Sequence, residues 1–177
     1  NSAEALQLLG VIAHQVGNLT EAIAYYQQTL ALKPDQAEVH YNLGYALQQQ
    51  GDVLAAIQSY QQAIALKPDY INAHYNLAYI LQQQGNLLGA IEHYQKAIAL
   101  IPNDAEAHGN LAYALQQQGQ IEAAIAHYQQ VIALNPEVPE IYYILGNLFK
   151  QQDQLEAAIN SYQWTLALNP NHADAYV

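Results

Sequence analysis

Cysteine is absent from this 177-residue sequence. Its absence excludes disulfide bonds, thiolate metal sites and cysteine nucleophiles together. It leaves the compartment open, because a chain without cysteine is compatible with both oxidising and reducing surroundings. Among the compartments we favour the cytoplasm.

Positive charge is scarce as well. The chain has four lysines and no arginine against 15 acidic residues, which gives a net charge of −11. The lysines lie far apart in the sequence and form no cluster. Nucleic acids and anionic membrane surfaces are bound through clustered cations. We therefore expect neither nucleic acid nor membrane as a partner.

Long apolar runs are also missing, although 52% of the residues are hydrophobic. No segment approaches the roughly 20 consecutive apolar residues that span a bilayer. The first residues lack the basic and apolar pattern of a signal peptide. We therefore assign the apolar residues to a folded core.

What the sequence does contain is a pattern that recurs every 34 residues. Ala56, Tyr60, Leu66 and Pro68 each have an identical counterpart one period earlier and at the three following periods. Such a period is typical of a repeat array. We predict a single solenoid over residues 1–177. Its five repeats are 3–36, 37–70, 71–104, 105–138 and 139–172, followed by the start of a sixth at 173–177.

Each repeat is predicted to form two helices joined by a tight turn. In the second repeat, apolar residues at three- and four-residue spacing run up to Gln50. Gly51 supplies a positive φ angle that ends this helix, and Asp52 caps the next one. Pro68 ends the second helix. In the fifth repeat Asp153 replaces the turn glycine, so we predict that this turn is the weakest.

Small residues recur at the eighth and twentieth positions of every repeat, which are Gly44 and Ala56 in the second. Without large side chains there, the two helices can approach closely, and Tyr60 fills the wider gap beside them. No hairpin can bury its apolar stripe alone, so we expect neighbouring hairpins to stack.

This pattern resembles the tetratricopeptide repeat, or TPR. The resemblance covers residues 3–172 and rests on Leu, Ala, an aromatic residue and Pro at positions 7, 20, 24 and 32 of all five copies. Histidine replaces the family's usual tryptophan at position 4 in three repeats. The resemblance implies an all-α, right-handed α-solenoid that acts as a non-catalytic protein-interaction scaffold. It also implies a concave groove lined by one face of the first helices.

Three side-chain types recur on that face. Positions 6, 9 and 13 lie three and four residues apart, so they share one side of the helix, away from the side that carries Leu43 and Leu47. The candidate peptide-binding residues are Asn42, Asn76 and Asn110 at position 6, Tyr45, Tyr79 and Tyr113 at position 9, Gln49, Gln83 and Gln117 at position 13, and the bordering Tyr41 and Tyr75.

The recurring asparagines suggest how this face binds a partner. An Asn amide can hold the N–H and C=O groups of an extended peptide without reading its side chains, and tyrosine adds rigid contact area. We therefore predict binding of a protein or peptide segment, neutral or basic because the chain is acidic. The alternative is structural, with each position-6 asparagine bonding its own neighbouring helix.

The asparagine ladder is similar to that of the TPR arm of O-linked N-acetylglucosamine transferases. Asn42, Asn76 and Asn110 match that ladder, whereas Leu8 and Ile144 do not. This resemblance implies a second hypothesis, a substrate-recognition arm of a larger glycosyltransferase-like enzyme. The TPR class that holds a C-terminal carboxylate is not matched, because it needs lysine and arginine on the first helices.

Catalytic patterns are absent from the sequence. It has no nucleophile–base pair and no phosphate-binding glycine loop, so we expect no cofactor and no enzymatic activity of this segment. Histidines recur one repeat apart, too far for bonds of ~2 Å to a shared metal ion. We predict that they pack at repeat junctions, where they would add sensitivity to pH. They are His40, His74 and His108 at position 4, and His93 and His127 at position 23.

Both ends of the array are predicted to be uncapped. Asn1 and Ser2 match the last two positions of a preceding repeat, so we expect the chain to be a piece of a longer array. Solenoids need polar terminal caps to stay soluble, and we therefore predict head-to-tail self-association at high concentration. The apolar residues assigned to the open ends are Leu6, Leu9 and Ile12 at one end and Ile159, Tyr162 and Leu166 at the other.

Overall fold

The computed structural model describes residues 2–172 and Ala175, and over these residues it contains helices and no strand. The predicted all-α class is therefore confirmed. None of the described helices has the length and hydropathy that a bilayer span requires. The helices are α1 (Ala3–Gln15), α2 (Leu19–Leu32), α3 (Ala37–Gln50), α4 (Val53–Leu66), α5 (Ile71–Gln83), α6 (Leu87–Leu100), α7 (Ala105–Gln117), α8 (Ile121–Leu134), α9 (Pro139–Gln151) and α10 (Leu155–Leu168).

The chain divides into two compact units, residues 1–100 and 101–177. The first unit holds α1 to α6 and the second holds α7 to α10. Each of the five predicted repeats contains one pair of these helices. The single solenoid over 1–177 stays a prediction. Four of the five residues of the predicted sixth repeat lie outside the described residues.

The turn inside each hairpin follows from its local sequence. Gly51 ends α3 with a φ of 91°, a region that strains residues with a side chain. The Asp52 side chain then accepts a hydrogen bond of 3.2 Å from the N–H of Ala55 and caps α4. In the fifth repeat Asp153 has a φ of 60°. The turn geometry thus persists at a residue that tolerates it less well.

Close packing within a hairpin depends on the small residues. Tyr60 of α4 is fully buried, as is Ala56 on the same helix. A Cβ atom on Gly44 of α3 would lie 2.9 Å from two carbon atoms of the Tyr60 ring. The small residues therefore allow the two helices of the hairpin to approach closely, as predicted.

Hairpins also stack on one another within each unit. In the first unit α2 packs on α3 and α4 packs on α5, and in the second unit α8 packs on α9. This stacking buries Leu43 of α3, Leu77 of α5 and Leu145 of α9. It leaves another side of these first helices accessible, and that side carries the candidate site.

Candidate functional site

In each unit the predicted peptide-binding residues lie on one surface, which we call the first-helix face of that unit. The tyrosines at position 9 are 39% to 47% exposed. The glutamines at position 13 are exposed, whereas the asparagines at position 6 and the bordering Tyr41 and Tyr75 are half-buried. The first-helix face comprises Asn42, Tyr45, Gln49, Asn76, Tyr79 and Gln83 in the first unit and Asn110, Tyr113 and Gln117 in the second.

Asn76 makes hydrogen bonds inside the protein. Its Nδ2 donates to the hydroxyl of Tyr41 and to the hydroxyl of Tyr60, both at 3.3 Å. Both tyrosines belong to the preceding hairpin, so this amide ties the third repeat to the second. For Asn76 the geometry matches the structural alternative more closely than a direct clamp on a peptide.

A second polar network links the two helices of the second, third and fourth hairpins. The Tyr60 hydroxyl donates to Gln48 Oε1 at 2.7 Å. The corresponding tyrosines and glutamines of the third and fourth repeats make the same bond at 2.9 and 3.0 Å. Sequence reasoning missed these glutamines, which occupy position 12. Their recurrence twelve residues before the buried tyrosine is the sequence signal that identifies them.

Burial keeps these tyrosine hydroxyls protonated. It raises the pKa of Tyr60 well above its ordinary value, and the hydrogen bond from Asn76 opposes the shift only in part. Burial, with a smaller effect from Tyr113, raises the pKa of Tyr128 to about 12. Both hydroxyls therefore act as neutral donors at physiological pH, and each bonds a glutamine on the first helix of its hairpin.

Four rings of the first unit form a contiguous group that we call the aromatic cluster: His14, Tyr41, Tyr45 and Tyr70. Ring centroids lie 5.4 Å apart for His14 and Tyr45, 6.4 Å for Tyr41 and Tyr45, and 5.0 Å for Tyr41 and Tyr70. His14 Nε2 also donates to Gln49 Oε1 at 3.0 Å. The cluster thus joins residues of the first two repeats around the exposed ring of Tyr45.

Two histidine pairs lie inside hairpins. The Nδ1 atoms of His74 on α5 and His93 on α6 are 3.0 Å apart, and those of His108 on α7 and His127 on α8 are 2.8 Å apart. Positions 4 and 23 of one repeat therefore meet. The spacing between repeats does not reveal this contact, because the two positions lie on different helices of one hairpin. It is the feature of the histidines that sequence reasoning missed.

The backbone determines which nitrogen of each pair carries the hydrogen. The Pro68 carbonyl can only accept, so its 2.9 Å contact requires an N–H on His74 Nε2. The Nδ1 of a neutral His74 is then the acceptor for Nδ1–H of His93. His108 repeats the arrangement with the Pro102 carbonyl at 3.1 Å. His74 and His108 thus pack at repeat junctions, as predicted, whereas His93 and His127 contact their partner histidines within a hairpin.

The pairs favour neutral imidazoles. Burial lowers the pKa of His93, and the neighbouring His74 lowers it further. Burial followed by the charge of His108 lowers the pKa of His127 in the same way. Over residues 2–172 and Ala175, no three side chains of His, Asp or Glu come together in an arrangement that could hold a metal ion.

Known protein families match this chain over nearly its whole length. A family model described as TPR repeat matches residues 10–51, 47–85, 80–119 and 114–153. A second model, described as tetratricopeptide repeat, matches residues 139–172. No curated protein matches the chain.

Several solved structures share the fold. A crystal structure of MamA protein is 22% identical, with 99% of this chain and 96% of that chain covered and a TM-score of 0.88. MamA from Desulfovibrio magneticus RS-1, residue 41 to the end, is 22% identical, with 97% of each chain covered and a TM-score of 0.84. YrrB, described as a TPR protein with an unusual peptide-binding site, is 20% identical, with 96% and 88% covered and a TM-score of 0.86. These likenesses show the α-solenoid fold.

Proposed function

Because this chain belongs to the tetratricopeptide repeat family, we propose that it is a non-catalytic scaffold that binds an extended protein segment on the first-helix face of each unit. The observation that carries the proposal is the recurrence of exposed tyrosines beside exposed amides at equivalent positions of three repeats. A surface of this kind offers contact area and hydrogen bonds without charge.

The exposed tyrosines and glutamines supply most of the proposed contacts. The Gln83 amide is exposed and offers both donors and an acceptor to a peptide backbone. Tyr79 adds a rigid, amphipathic ring that loses little entropy on binding. Asn76 uses its N–H groups on Tyr41 and Tyr60, so we assign it to holding those rings in place. Asn42 and Asn110 remain proposed contacts with the bound segment.

The charge of the chain selects the class of segment. A net charge of −11 repels acidic peptides and attracts neutral or basic ones. YrrB, which shares the fold, is described as having a peptide-binding site. The likeness to YrrB supports a protein segment as the partner, and the charge of the chain supports a neutral or basic one.

The proposal predicts a large loss of affinity when exposed tyrosines are removed. A random peptide library displayed on phage supplies binders, whose affinities for the wild-type and the Tyr79→Ala, Tyr113→Ala double variant are then compared. We expect binding at least about tenfold weaker, on the order of 1.4 kcal/mol, with unchanged helical circular dichroism. The matched control is Leu54→Ala with Leu88→Ala, two exposed apolar residues on second helices. Equal losses in both double variants would contradict the proposal.

A second candidate function is the substrate-recognition arm of a larger glycosyltransferase-like enzyme. It is favoured by the half-buried asparagines at position 6 of three consecutive repeats. The bonds from Asn76 to Tyr41 and Tyr60 favour the simple scaffold instead. The full-length coding sequence separates the two. A glycosyltransferase domain beyond residue 177 supports the arm, whereas another effector domain or only further repeats support the scaffold.

Self-association through the two ends is a further proposal, supported by the exposure of end residues. Leu9 and Ile12 of α1 are exposed, although Leu43, at the repeat position of Leu9, is buried by the preceding hairpin. On α10, Ile159 is 55% exposed, whereas its counterpart Ile125 is 8% exposed. At each end, apolar residues are thus exposed whose counterparts in the adjacent repeat of the same unit are covered by a neighbouring hairpin. Leu6 was assigned to the open end by sequence but is buried, so that assignment is wrong.

The proposal predicts association that depends on these end residues. In sedimentation equilibrium we expect the wild-type chain to form dimers and larger species at millimolar concentration. Leu9→Glu with Ile12→Glu should restore a monomer, because a head-to-tail contact would bury the new charges. Leu54→Glu with Leu88→Glu, which changes equally apolar residues away from the ends, should not. A wild-type chain that stays monomeric throughout the concentration range would refute the proposal.

A further inference from the structure

The aromatic cluster of the first unit lies beside a cation of the chain itself. Lys67 Nζ is 5.2 Å from the centroid of the Tyr70 ring. An ammonium within about 6 Å of a ring centroid is attracted by the electron density of the ring face. The cluster is therefore already compatible with one positive charge at its Tyr70 edge, while Tyr45 stays 39% exposed at the other edge.

Negative charge lies near the cluster as well. Burial raises the pKa of Tyr70 to about 12, and the negative charge of Glu38 adds to the shift. Glu38 is exposed on the first turn of α3. Glu38 and Tyr41 are three residues apart on α3 and are therefore neighbours on the surface of this helix, which places the carboxylate beside the cluster.

The exposed ring of Tyr45 offers a flat surface for a planar group. Tyr41 and Tyr45 lie with only 9° between their ring planes, and the hydrogen bond from His14 to Gln49 ties the first repeat to the same edge. Guanidinium stacks on such surfaces better than ammonium, because it is planar and more weakly hydrated. The chain has no arginine of its own, so a guanidinium at this surface has to come from a partner.

We infer that the aromatic cluster and Glu38 form a subsite for an arginine side chain of the bound segment, stacked on Tyr45. This inference rests on the proposed function and names the partner more narrowly: the segment carries an arginine that enters here while its backbone follows the first-helix face. The other exposed tyrosines, Tyr79 and Tyr113, occupy equivalent repeat positions and serve as internal references.

Nuclear magnetic resonance of ring-labelled tyrosine tests the subsite directly. The probes are a short glycine–serine peptide with one central arginine, the same peptide with citrulline, which keeps the shape without the charge, and N-acetylarginine amide. We expect saturable shifts of the Tyr45 and Tyr41 rings with the arginine peptide, at least threefold weaker binding of the citrulline peptide, and smaller shifts at Tyr79 and Tyr113. The peptide should bind more tightly than N-acetylarginine amide, because its backbone adds contacts.

Variants separate the parts of the subsite. Tyr45→Phe should keep the preference for arginine, since the ring remains, and Tyr45→Ala should abolish it. Glu38→Gln should weaken arginine binding at least twofold and leave citrulline binding unchanged. Equal binding of arginine and citrulline peptides, or equal shifts at all three exposed tyrosines, would overturn the inference. So would equal binding of the peptide and N-acetylarginine amide, which would indicate a site for the free guanidinium alone.

Different outcomes refute the arginine subsite and the proposed function. If phage-selected peptides bind the first-helix face but show no enrichment in arginine, the scaffold function stands and the subsite is wrong. If no selected peptide depends on Tyr79 and Tyr113, the proposed function itself fails.

Discussion

Replacing Tyr60 with alanine is expected to lower the free energy of unfolding of the first unit by about 3–5 kcal/mol, the range for removing a large aromatic side chain from a core. Tyr60 is fully buried, fills the space against Gly44 and bonds Gln48 and Asn76 through its hydroxyl. The substitution leaves a cavity and deprives two amides of a partner. Chemical denaturation followed by circular dichroism measures the change.

Two matched variants divide the effect into its parts. Tyr60→Phe keeps the ring and removes only the hydroxyl, so we expect a loss of about 1–3 kcal/mol from the unpaired amides. Tyr79→Ala removes the same side chain from an exposed position and should change the free energy of unfolding by no more than about 0.5 kcal/mol. If Tyr60→Ala costs no more than Tyr79→Ala, the buried tyrosine does not hold the hairpins together.

Acid is expected to destabilise the chain through its histidine pairs. The folded-state pKa values of His93 and His127 are lowered by burial and by their partner histidines. Their contribution to stability is therefore complete above the unfolded-state pKa of about 6.5. It is lost as the pH falls through the lowered folded-state values, because the unfolded chain then binds more protons. We expect the free energy of unfolding to fall from pH 7 toward pH 5.

The chain itself supplies the control for this prediction. In the second repeat His40 Nε2 bonds the Pro34 carbonyl at 2.9 Å, but Ser59 occupies the position of the second histidine and bonds the Ala55 carbonyl. The variant His93→Ser with His127→Ser copies that arrangement. It should flatten the pH dependence between pH 7 and pH 5, whatever its stability at pH 7. An unchanged slope would show that the pairs do not titrate as described.

The effects of charged residues near His93 can be distinguished from the effect of the histidine pair. Glu92 raises the pKa of His93 and Lys96 lowers it, and both effects are smaller than those of burial and His74. Glu92→Gln should therefore increase the sensitivity to acid slightly, and Lys96→Gln should decrease it. Both variants keep the Nδ1 contact of the pair, so neither should abolish the effect.

Local chemistry explains why the helices and turns are predictable from sequence. The positive φ at Gly51, the cap at Asp52 and the end of α4 before Pro68 each depend on one residue and its immediate neighbours. The accessible tyrosines follow from helix periodicity alone, since Tyr45 is offset from the buried Leu43 and Leu47. These features need no knowledge of packing between helices.

Contacts between helices are harder to predict, because they depend on how the helices pack on one another. Positions 4 and 23 are nineteen residues apart, and only the packing of α5 on α6 brings His74 to His93. The engagement of Asn76 with tyrosines of the preceding repeat likewise depends on how hairpins stack. Even neighbouring glutamines differ in their contacts, since Gln48 bonds Tyr60 whereas Gln49 bonds His14.

The central claim, that the first-helix face binds a protein segment, is tested most directly by mapping a bound peptide. Backbone and tyrosine-ring shifts of the labelled protein are followed while a phage-selected peptide is added. We expect the largest changes at Tyr45, Tyr79 and Tyr113 and small ones at the exposed Leu54 and Leu88 of the second helices. Changes concentrated on the second helices, with the three tyrosines unaffected, would contradict the claim.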